Sequence, residues 1–270
     1  MPELPEVETV KETLKKLVLN DCILDVEIRW NNIIEYPDVE NFKKNIKNQT
    51  IKDIKRRGKW LMFYLDDYIL LSHLRMEGRY FIKKDEEITK HEHVIFKLKS
   101  GRTLRYIDTR KFGKMHLIKK DEILEREPLK SLGLEPWDES LNENYLKEKY
   151  KNKRLPIKTV LLDQSILVGN GNIYADEVLF LSKINPHKQA SKLNDEELKE
   201  IIKNTKQVLE KAIKLGGTTI RTFESSEGVH GLFQNELYVH GMTTCKICNT
   251  KLEKDKIGGR STYYCPKCQK

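Results

Sequence analysis

Lys59-Trp-Leu-Met-Phe-Tyr-Leu65, followed by Asp66-Asp67 and then Tyr68-Ile-Leu-Leu71, decides the fold of the first half of this 270-residue chain. Both runs are apolar at successive rather than alternate positions, so both faces of each strand must be covered. The two aspartates between them are turn formers, and the stretch predicts a buried hairpin. Working outward, His93-Val-Ile-Phe-Lys-Leu98 and Thr103-Leu-Arg-Tyr-Ile107 flank Ser100-Gly101 and predict a second hairpin. Towards the N-terminus, Val7, Val10, Leu14 and Leu17 recur at helical spacing between Pro5 and Leu17. The expectation is an antiparallel sandwich or barrel led by one helix.

Glu127-Pro-Leu-Lys-Ser-Leu-Gly-Leu-Glu-Pro136 reads as a linker, and helical patterns follow it. Asn194-Asp-Glu-Glu197 is a capping-box start, and Leu198, Ile201, Ile202, Thr205, Val208, Leu209, Ala212 and Ile213 make one face before Gly216-Gly217 ends the helix. Ile157–Leu162 and Ile173–Leu181 read as two helical pieces around Val168-Gly-Asn-Gly-Asn172. A helix-turn-helix unit and an ordinary helical hairpin both fit them. Beyond residue 235, Cys245-x2-Cys248-x16-Cys265-x2-Cys268 is the spacing of a closed four-thiolate site on two short turns. One structural zinc ion is expected there. The whole is an α+β multi-domain chain, with domains at residues 1–130, 131–235 and 236–270.

The net charge is +9, and residues 203–270 carry 12 Lys and Arg against 6 Asp and Glu. That placement favours a polyanionic partner, nucleic acid first among them. No apolar run approaches the roughly 20 residues of a membrane span, and the N-terminus has no secretory pattern. A cytoplasmic protein without a membrane partner is expected. Cys22 stands apart from the cluster and is expected to be a small buried side chain.

Met1-Pro-Glu-Leu-Pro-Glu6 is the stretch with most chemistry. Once Met1 is removed, Pro2 offers a terminal amine of the kind that titrates near pH ~8, close enough to neutrality to act as a nucleophile. Glu3 and Glu6 lie within about one helical turn of it, a layout suited to Schiff-base chemistry. Pro and Glu are also favoured in any first helical turn, so the hexapeptide alone is equally a helix start. Lys55-Arg-Arg-Gly-Lys59 reads as a solvated turn with phosphate contact as the other reading. Asn172, on a Gly-rich turn before a helix, suits anion binding by side chain and backbone N–H groups. Met76, Arg110 and Phe112 fall in or near hairpin loops, where large side chains can serve as wedges in a DNA stack.

Six motifs then occur in order: Met1-Pro-Glu-Leu-Pro-Glu-Val-Glu8, His73-Leu-Arg-Met-Glu-Gly78, Arg110-Lys-Phe-Gly113, Gly171-Asn-Ile-Tyr-Ala-Asp-Glu177, Gly216-Gly-Thr-Thr219, and the four-cysteine tail with Gly259-Arg-Ser-Thr262. Together they closely resemble the bacterial formamidopyrimidine-DNA glycosylases, which are 8-oxoguanine DNA glycosylases and AP lyases. The resemblance runs from residue 2 to the C-terminus. It implies an N-terminal β-sandwich, a helix-two-turn-helix domain and a zinc finger, acting as a monomer on double-stranded DNA that contains oxidised bases or abasic sites.

The resemblance also implies roles. Pro2 matches the nucleophile at C1′, Glu3 the proton donor and acceptor, and Glu6 a supporting acid. Lys59 matches the lysine for phosphate contact and β-elimination, and Arg260 the finger arginine for δ-elimination. His91, Arg110, Lys153 and Asn172 match positions that hold the DNA backbone. Met76, Arg110 and Phe112 match the trio that fills the void left by the flipped base, offsetting a few kcal/mol of lost stacking. Thr218–Gly231 is a candidate loop for contacting that base. Asn170 departs from the family, which usually has an apolar residue there. Two other readings stand beside this one: an endonuclease VIII-like enzyme for oxidised pyrimidines, and a non-catalytic zinc-ribbon DNA-binding protein.

Overall fold

The computed structural model describes residues 1–218 and 231–270. The chain divides into two compact units. The first contains residues 1–2 and 6–130 with Thr218 and Gly231; the second contains residues 3–5, 131–217 and 232–270. The division falls inside the first helix, α1 (Leu4–Val18).

In the first unit α1 is followed by β1 (Cys22–Ile28), β2 (Ile34–Tyr36), α2 (Val39–Ile46), β3 (Gln49–Thr50), β4 (Asp53–Arg57), β5 (Trp60–Tyr64), β6 (Tyr68–His73), β7 (Arg79–Lys83), β8 (Glu92–Leu98), β9 (Thr103–Ile107) and β10 (Lys114–Lys119). Among the described residues these strands make two five-stranded sheets, ordered β3-β1-β8-β9-β7 and β2-β10-β6-β5-β4. All pairs are antiparallel except β2 with β10, which is parallel. β2 is three residues long, too short for its direction to be read from pattern.

The hairpin predicted from Lys59–Leu71 is β5–β6, in register from Trp60↔His73 to Tyr64↔Ile69. Trp60, Leu61, Met62 and Phe63 are all buried, as strands inside a sheet with both faces covered require. Its aspartates do more than turn: Asp66 Oδ2 accepts from Thr50 N at 2.6 Å, and Asp67 exchanges hydrogen bonds with the Gln49 side chain at 2.8 Å. Leu61, Phe63 and Leu70 share one core with Phe96, Leu104 and Tyr106 of the other sheet. Val7, Val10, Leu14 and Val18 bring the inner face of α1 into the same core. Each such side chain contributes about 1.5–3 kcal/mol on burial. Cys22, expected to be buried, is partly exposed because it opens β1 rather than lying within it.

Lys55–Lys59 is not the solvated turn expected. Lys55–Arg57 belong to β4, Gly58-Lys59 is the tight connection to β5, and Lys59 is buried. The sequence pattern misled because Arg56 is paired: its Nε donates to Glu8 of α1 at 2.9 Å, and its Nη1 to the Gly58 carbonyl at 3.0 Å. Burial pushes the Glu8 carboxyl up, but hydrogen bonds from Lys11 and Arg56 more than reverse this and leave it below its ordinary value.

The second unit contains α3 (Glu143–Tyr150), α4 (Ile157–Val160), α5 (Asn172–Leu181) and α6 (Asp195–Lys214), then the hairpin β11 (Glu253–Ile257) and β12 (Arg260–Tyr264). The capping box of α6 is formed, with Glu197 N donating to Asn194 Oδ1 at 2.9 Å and Asn194 N to Glu197 Oε2 at 3.0 Å. Leu198, Ile201, Val208, Leu209 and Ala212 of α6 are buried in a core with Tyr174, Val178 and Leu179 of α5. The finger is fastened to this unit by backbone: Asn185 N donates to the Lys270 carbonyl and Lys270 N to the Lys183 carbonyl, both at 3.0 Å. Among the described residues no helix is long and apolar enough to cross a membrane.

Candidate active site and nucleic-acid interface

Glu3 occupies the N-terminus of α5. Its Oε2 accepts from Gly171 N at 2.6 Å and Tyr174 N at 3.4 Å, and its Oε1 from Ile173 N at 3.0 Å. The first N–H groups of a helix lack intrahelical partners and attract an anion. The sequence suits this turn to anion binding through the Asn172 side chain and backbone N–H groups; within this unit the backbone groups hold the chain's own third residue. Gly171 must lack a side chain, because a Cβ there would lie 2.3 Å from Glu3 Cδ. Leu4 N donates to the Gly169 carbonyl at 3.2 Å and anchors the next residue. Asn170 is fully buried, and its carbonyl accepts from Gln164 Nε2 at 3.0 Å.

Asn172 Nδ2 donates to the Ser261 carbonyl at 2.7 Å, which places it beside Arg260. Arg260 is exposed and is the first residue of β12, after the Gly258-Gly259 turn. Lys153 is half-exposed and pairs with Asp163 at 3.3 Å. The four thiols of Cys245, Cys248, Cys265 and Cys268 converge, with all Sγ atoms within 4.8 Å of one another. Their closest separations are 3.5 and 3.9 Å. A tetrahedron of thiolates with metal–sulfur bonds of ~2.3 Å has edges of ~3.8 Å, so the donor set fits a tetrahedral metal ion and leaves no position open.

In the first unit Pro2 is buried, and the buried Glu6 carboxylate accepts from Thr218 N at 2.8 Å and Thr218 Oγ1 at 3.2 Å. Residues 219–230 of the expected base-contacting loop lie outside the described residues. Met76, Arg110, Phe112 and His91 come from neighbouring loops of this unit. The loop between β6 and β7 and that between β9 and β10 are joined by a hydrogen bond from Thr109 Oγ1 to Glu77. Each contains a non-glycine residue in the left-handed region, Arg75 at φ 54° and Lys111 at φ 59°. Such backbone persists where surrounding bonds determine it. Buried Asp108 supplies them in the second loop, accepting from the N–H groups of Arg110, Phe112 and Gly113 at 3.0, 2.9 and 2.8 Å. Asp108 N donates to the His91 carbonyl at 3.1 Å. Both motif glycines, Gly78 and Gly113, close on the Tyr106 hydroxyl, where a Cβ would come within 2.1 and 1.9 Å. At the tip, the Arg110 guanidinium lies 4.7 Å from the centre of the Phe112 ring, and Phe112 is 46% exposed.

Asp108, Tyr106 and the Arg56–Glu8 pair were missed in the sequence, where only Asp108-Thr109 hinted at a side-chain-stabilised turn. His73 opens the His73–Gly78 motif. It is buried against Trp60, with ring centroids 4.8 Å apart, and its Nδ1 accepts from Arg75 N at 3.0 Å. The Arg75 bond fixes the imidazole as a neutral acceptor.

The sequence models for the formamidopyrimidine-DNA glycosylase N-terminal domain, the formamidopyrimidine-DNA glycosylase H2TH domain and a zinc finger found in FPG and IleRS match residues 1–115, 132–224 and 244–270. The chain is 49% identical to the formamidopyrimidine-DNA glycosylase of Oceanobacillus iheyensis and 50% identical to that of Bacillus cereus, covering all of this chain and 98–99% of those proteins. Among solved structures it is similar to Lactococcus lactis Fpg in complex with abasic-site DNA, with a TM-score of 0.93, 40% identity and full coverage of both chains. The same figures apply to a proline-substituted mutant of that protein in complex with Fapy-dG containing DNA. The chain belongs to the formamidopyrimidine-DNA glycosylase family.

The burial of His73 gives a pH prediction. Burial, with the charges of Arg75 and Lys59 adding to it, pushes its pKa from 6.5 down to about 3. Below pH 6.5 the unfolded chain therefore binds a proton that the folded form refuses, and folding stability falls as pH drops towards 3. The loss from this group is about 1.4 kcal/mol per pH unit. NMR titration should find the His73 ring neutral at about pH 5; a midpoint near the ordinary histidine value of ~6.5 would contradict the assignment.

Proposed function

We propose that this chain is a base-excision repair enzyme, a bifunctional DNA glycosylase and AP lyase. It removes oxidised purines such as 8-oxoguanine and formamidopyrimidines from duplex DNA, then cuts the strand by β- and δ-elimination. The observation that carries the reading is the seating of Glu3: a carboxylate fixed by three backbone N–H groups, one residue after the proline whose amine the chemistry needs. Fixing a carboxylate beside a nucleophile costs ordering once, during folding, rather than at each turnover.

With Met1 removed, the Pro2 nitrogen attacks C1′ and the N-glycosidic bond breaks, the base leaving with the bond's electron pair. Glu3 gives and takes the protons for base release and sugar-ring opening, which leaves an imine between Pro2 and C1′, and Glu6 supports the N-terminal turn through Thr218. Lys59 acts at the phosphate and in β-elimination, and Arg260 in δ-elimination. His91, Arg110, Lys153 and Asn172 bind the backbone, while Met76, Arg110 and Phe112 fill the space of the flipped nucleotide. We assign the four-cysteine site to one structural Zn2+, since thiolates in a closed tetrahedral set suit that ion. The working modules are residues 1–130, 131–235 and 236–270, and the enzyme acts as a monomer in the cytoplasm, where chromosomal DNA is its substrate.

Borohydride reduction tests the imine. Protein lacking Met1 should crosslink to an abasic duplex and release 8-oxoguanine faster than thymine glycol, whereas protein with a blocked N-terminus should do neither. No crosslink would refute the enzyme, and faster pyrimidine release would refute the lesion class. Elemental analysis of the purified protein should return one zinc per chain; another metal, or none with the finger folded, would overturn that assignment.

A further inference from the structure

Four side chains outside the roles above form a network between α4, α5 and the finger, buried except at His240. Lys158 is fully buried, and its Nζ donates to Asp176 Oδ1 at 2.5 Å and to the Asn172 carbonyl at 2.7 Å. The other oxygen of Asp176, Oδ2, meets His240 Nδ1 at 2.6 Å and accepts from Tyr263 N at 3.3 Å. The adjacent Glu177, also buried, accepts from the N–H groups of Tyr238, Val239 and His240 at 2.7, 3.0 and 2.9 Å. The His240 ring packs edge-on against Tyr263, with centroids 5.1 Å apart and planes at 66°.

The network is charged and costly. Burying an ammonium and two carboxylates gives no net stability that well-packed apolar side chains would not match, so its value lies in geometry. What it fixes is β12. Asp176 holds Tyr263 N, Asn172 holds the Ser261 carbonyl, and the hairpin turn lies against α4, where a Cβ on Gly258 would come 2.7 Å from Thr159 Oγ1. Arg260 begins this strand. At ~3.3 Å per residue, Tyr263 is about 10 Å along the strand from it.

We propose that Asp176 and His240 are positioning residues for Arg260, and thereby set how far strand cleavage proceeds beyond β-elimination. The proposal rests on the assignment of Arg260 above. In δ-elimination the C4′–H and C5′–O bonds break and a C4′=C5′ double bond forms. The proton passes to solvent, the 5′ phosphate leaves with the C5′–O electron pair, and no redox change occurs. A guanidinium fixed beside the leaving phosphate balances that charge; one displaced by about 1 Å does so far less well. Base release and β-elimination occur earlier and do not draw on this arginine, so the two stages separate.

The test uses the full chain, Met1-processed and zinc-loaded, on an abasic duplex under single-turnover conditions. The readout is the ratio of the 3′ unsaturated aldehyde, from β-elimination alone, to the 3′ phosphate, from both steps. His240→Ala breaks the network at its partly exposed end and leaves the Lys158–Asp176 pair intact. It should keep borohydride trapping within about 3-fold of the parent while raising that ratio on the order of 10-fold. His240→Asn, which restores a donor to Asp176, should return the ratio towards the parent value. Asp176→Asn should shift it in the same direction as His240→Ala; because Lys158 then loses its partner, zinc content and melting are measured alongside. An unchanged ratio in a folded, zinc-bound His240→Ala protein overturns the proposal. So does an equal loss of trapping and both products, which marks a merely structural role. Failure of the unsubstituted protein to trap would instead refute the Schiff-base reading itself.

Discussion

The carboxylate of Glu3 on the first N–H groups of α5 is the interaction on which the rest depends. Three backbone donors at one helix end are satisfied by a side chain from the start of the chain, across 168 to 171 positions of sequence. Charge-assisted bonds of this kind are each roughly twice as strong as neutral ones, and their geometry is set by a helix that cannot rotate without disrupting its core. Tyr174, Ala175 and Val178 of α5 are completely buried, so the seat is as rigid as the helix. Gly171 is the sequence requirement that follows, since any side chain there would occupy the carboxylate's place.

The same helix serves the other end of the unit. Its N-terminal N–H groups hold Glu3, while the next turn carries Asp176 and Glu177 to the finger. One element thus presents positive backbone dipoles at its start, and negative side chains one turn later receive donors from the finger and α4. The finger's core is small, built on Val239, Cys245, Leu252 and Cys265 packed against Phe180 of α5, so metal ligation and docking on α5 must supply what apolar burial does not. A separate strategy governs the sandwich loops. There Asp108 bonds the backbone of the Arg110–Gly113 loop, and a glycine of each loop packs against the Tyr106 side chain, so that Arg110 and Phe112 project from a stiff base.

Much of this was legible in the sequence because it depends on local pattern. The β5–β6 hairpin followed from uninterrupted apolar runs, α6 from its capping box and helical stripe, and the four-thiolate site from paired spacings. What was not legible depends on distant partners. Lys55–Lys59 looked solvated because Glu8, the partner of Arg56, lies 48 positions away. Lys158 has no signature in the sequence, since a buried ammonium cannot be inferred without its carboxylate, Asp176, 18 positions away. The Gly-rich turn before α5 shows in the sequence as a set of helix-terminal donors, but not that Glu3 is the carboxylate that reaches them, because sequence gives the donors of a helix terminus and not their distant partner. The direction of β2, three residues long, is likewise a tertiary choice.

Gly171 leaves the room in which the Glu3 carboxylate is seated, and the role proposed for Glu3 requires that seat. The most direct measurement is the single-turnover rate of 8-oxoguanine release by Met1-processed Gly171→Ala protein, beside its affinity for a duplex carrying a stable abasic analogue. The substituted protein should fold, keep that affinity within a few-fold and lose base release by on the order of 100-fold, as expected for a proton donor displaced by about 1 Å. Base release within a few-fold of the parent would contradict it.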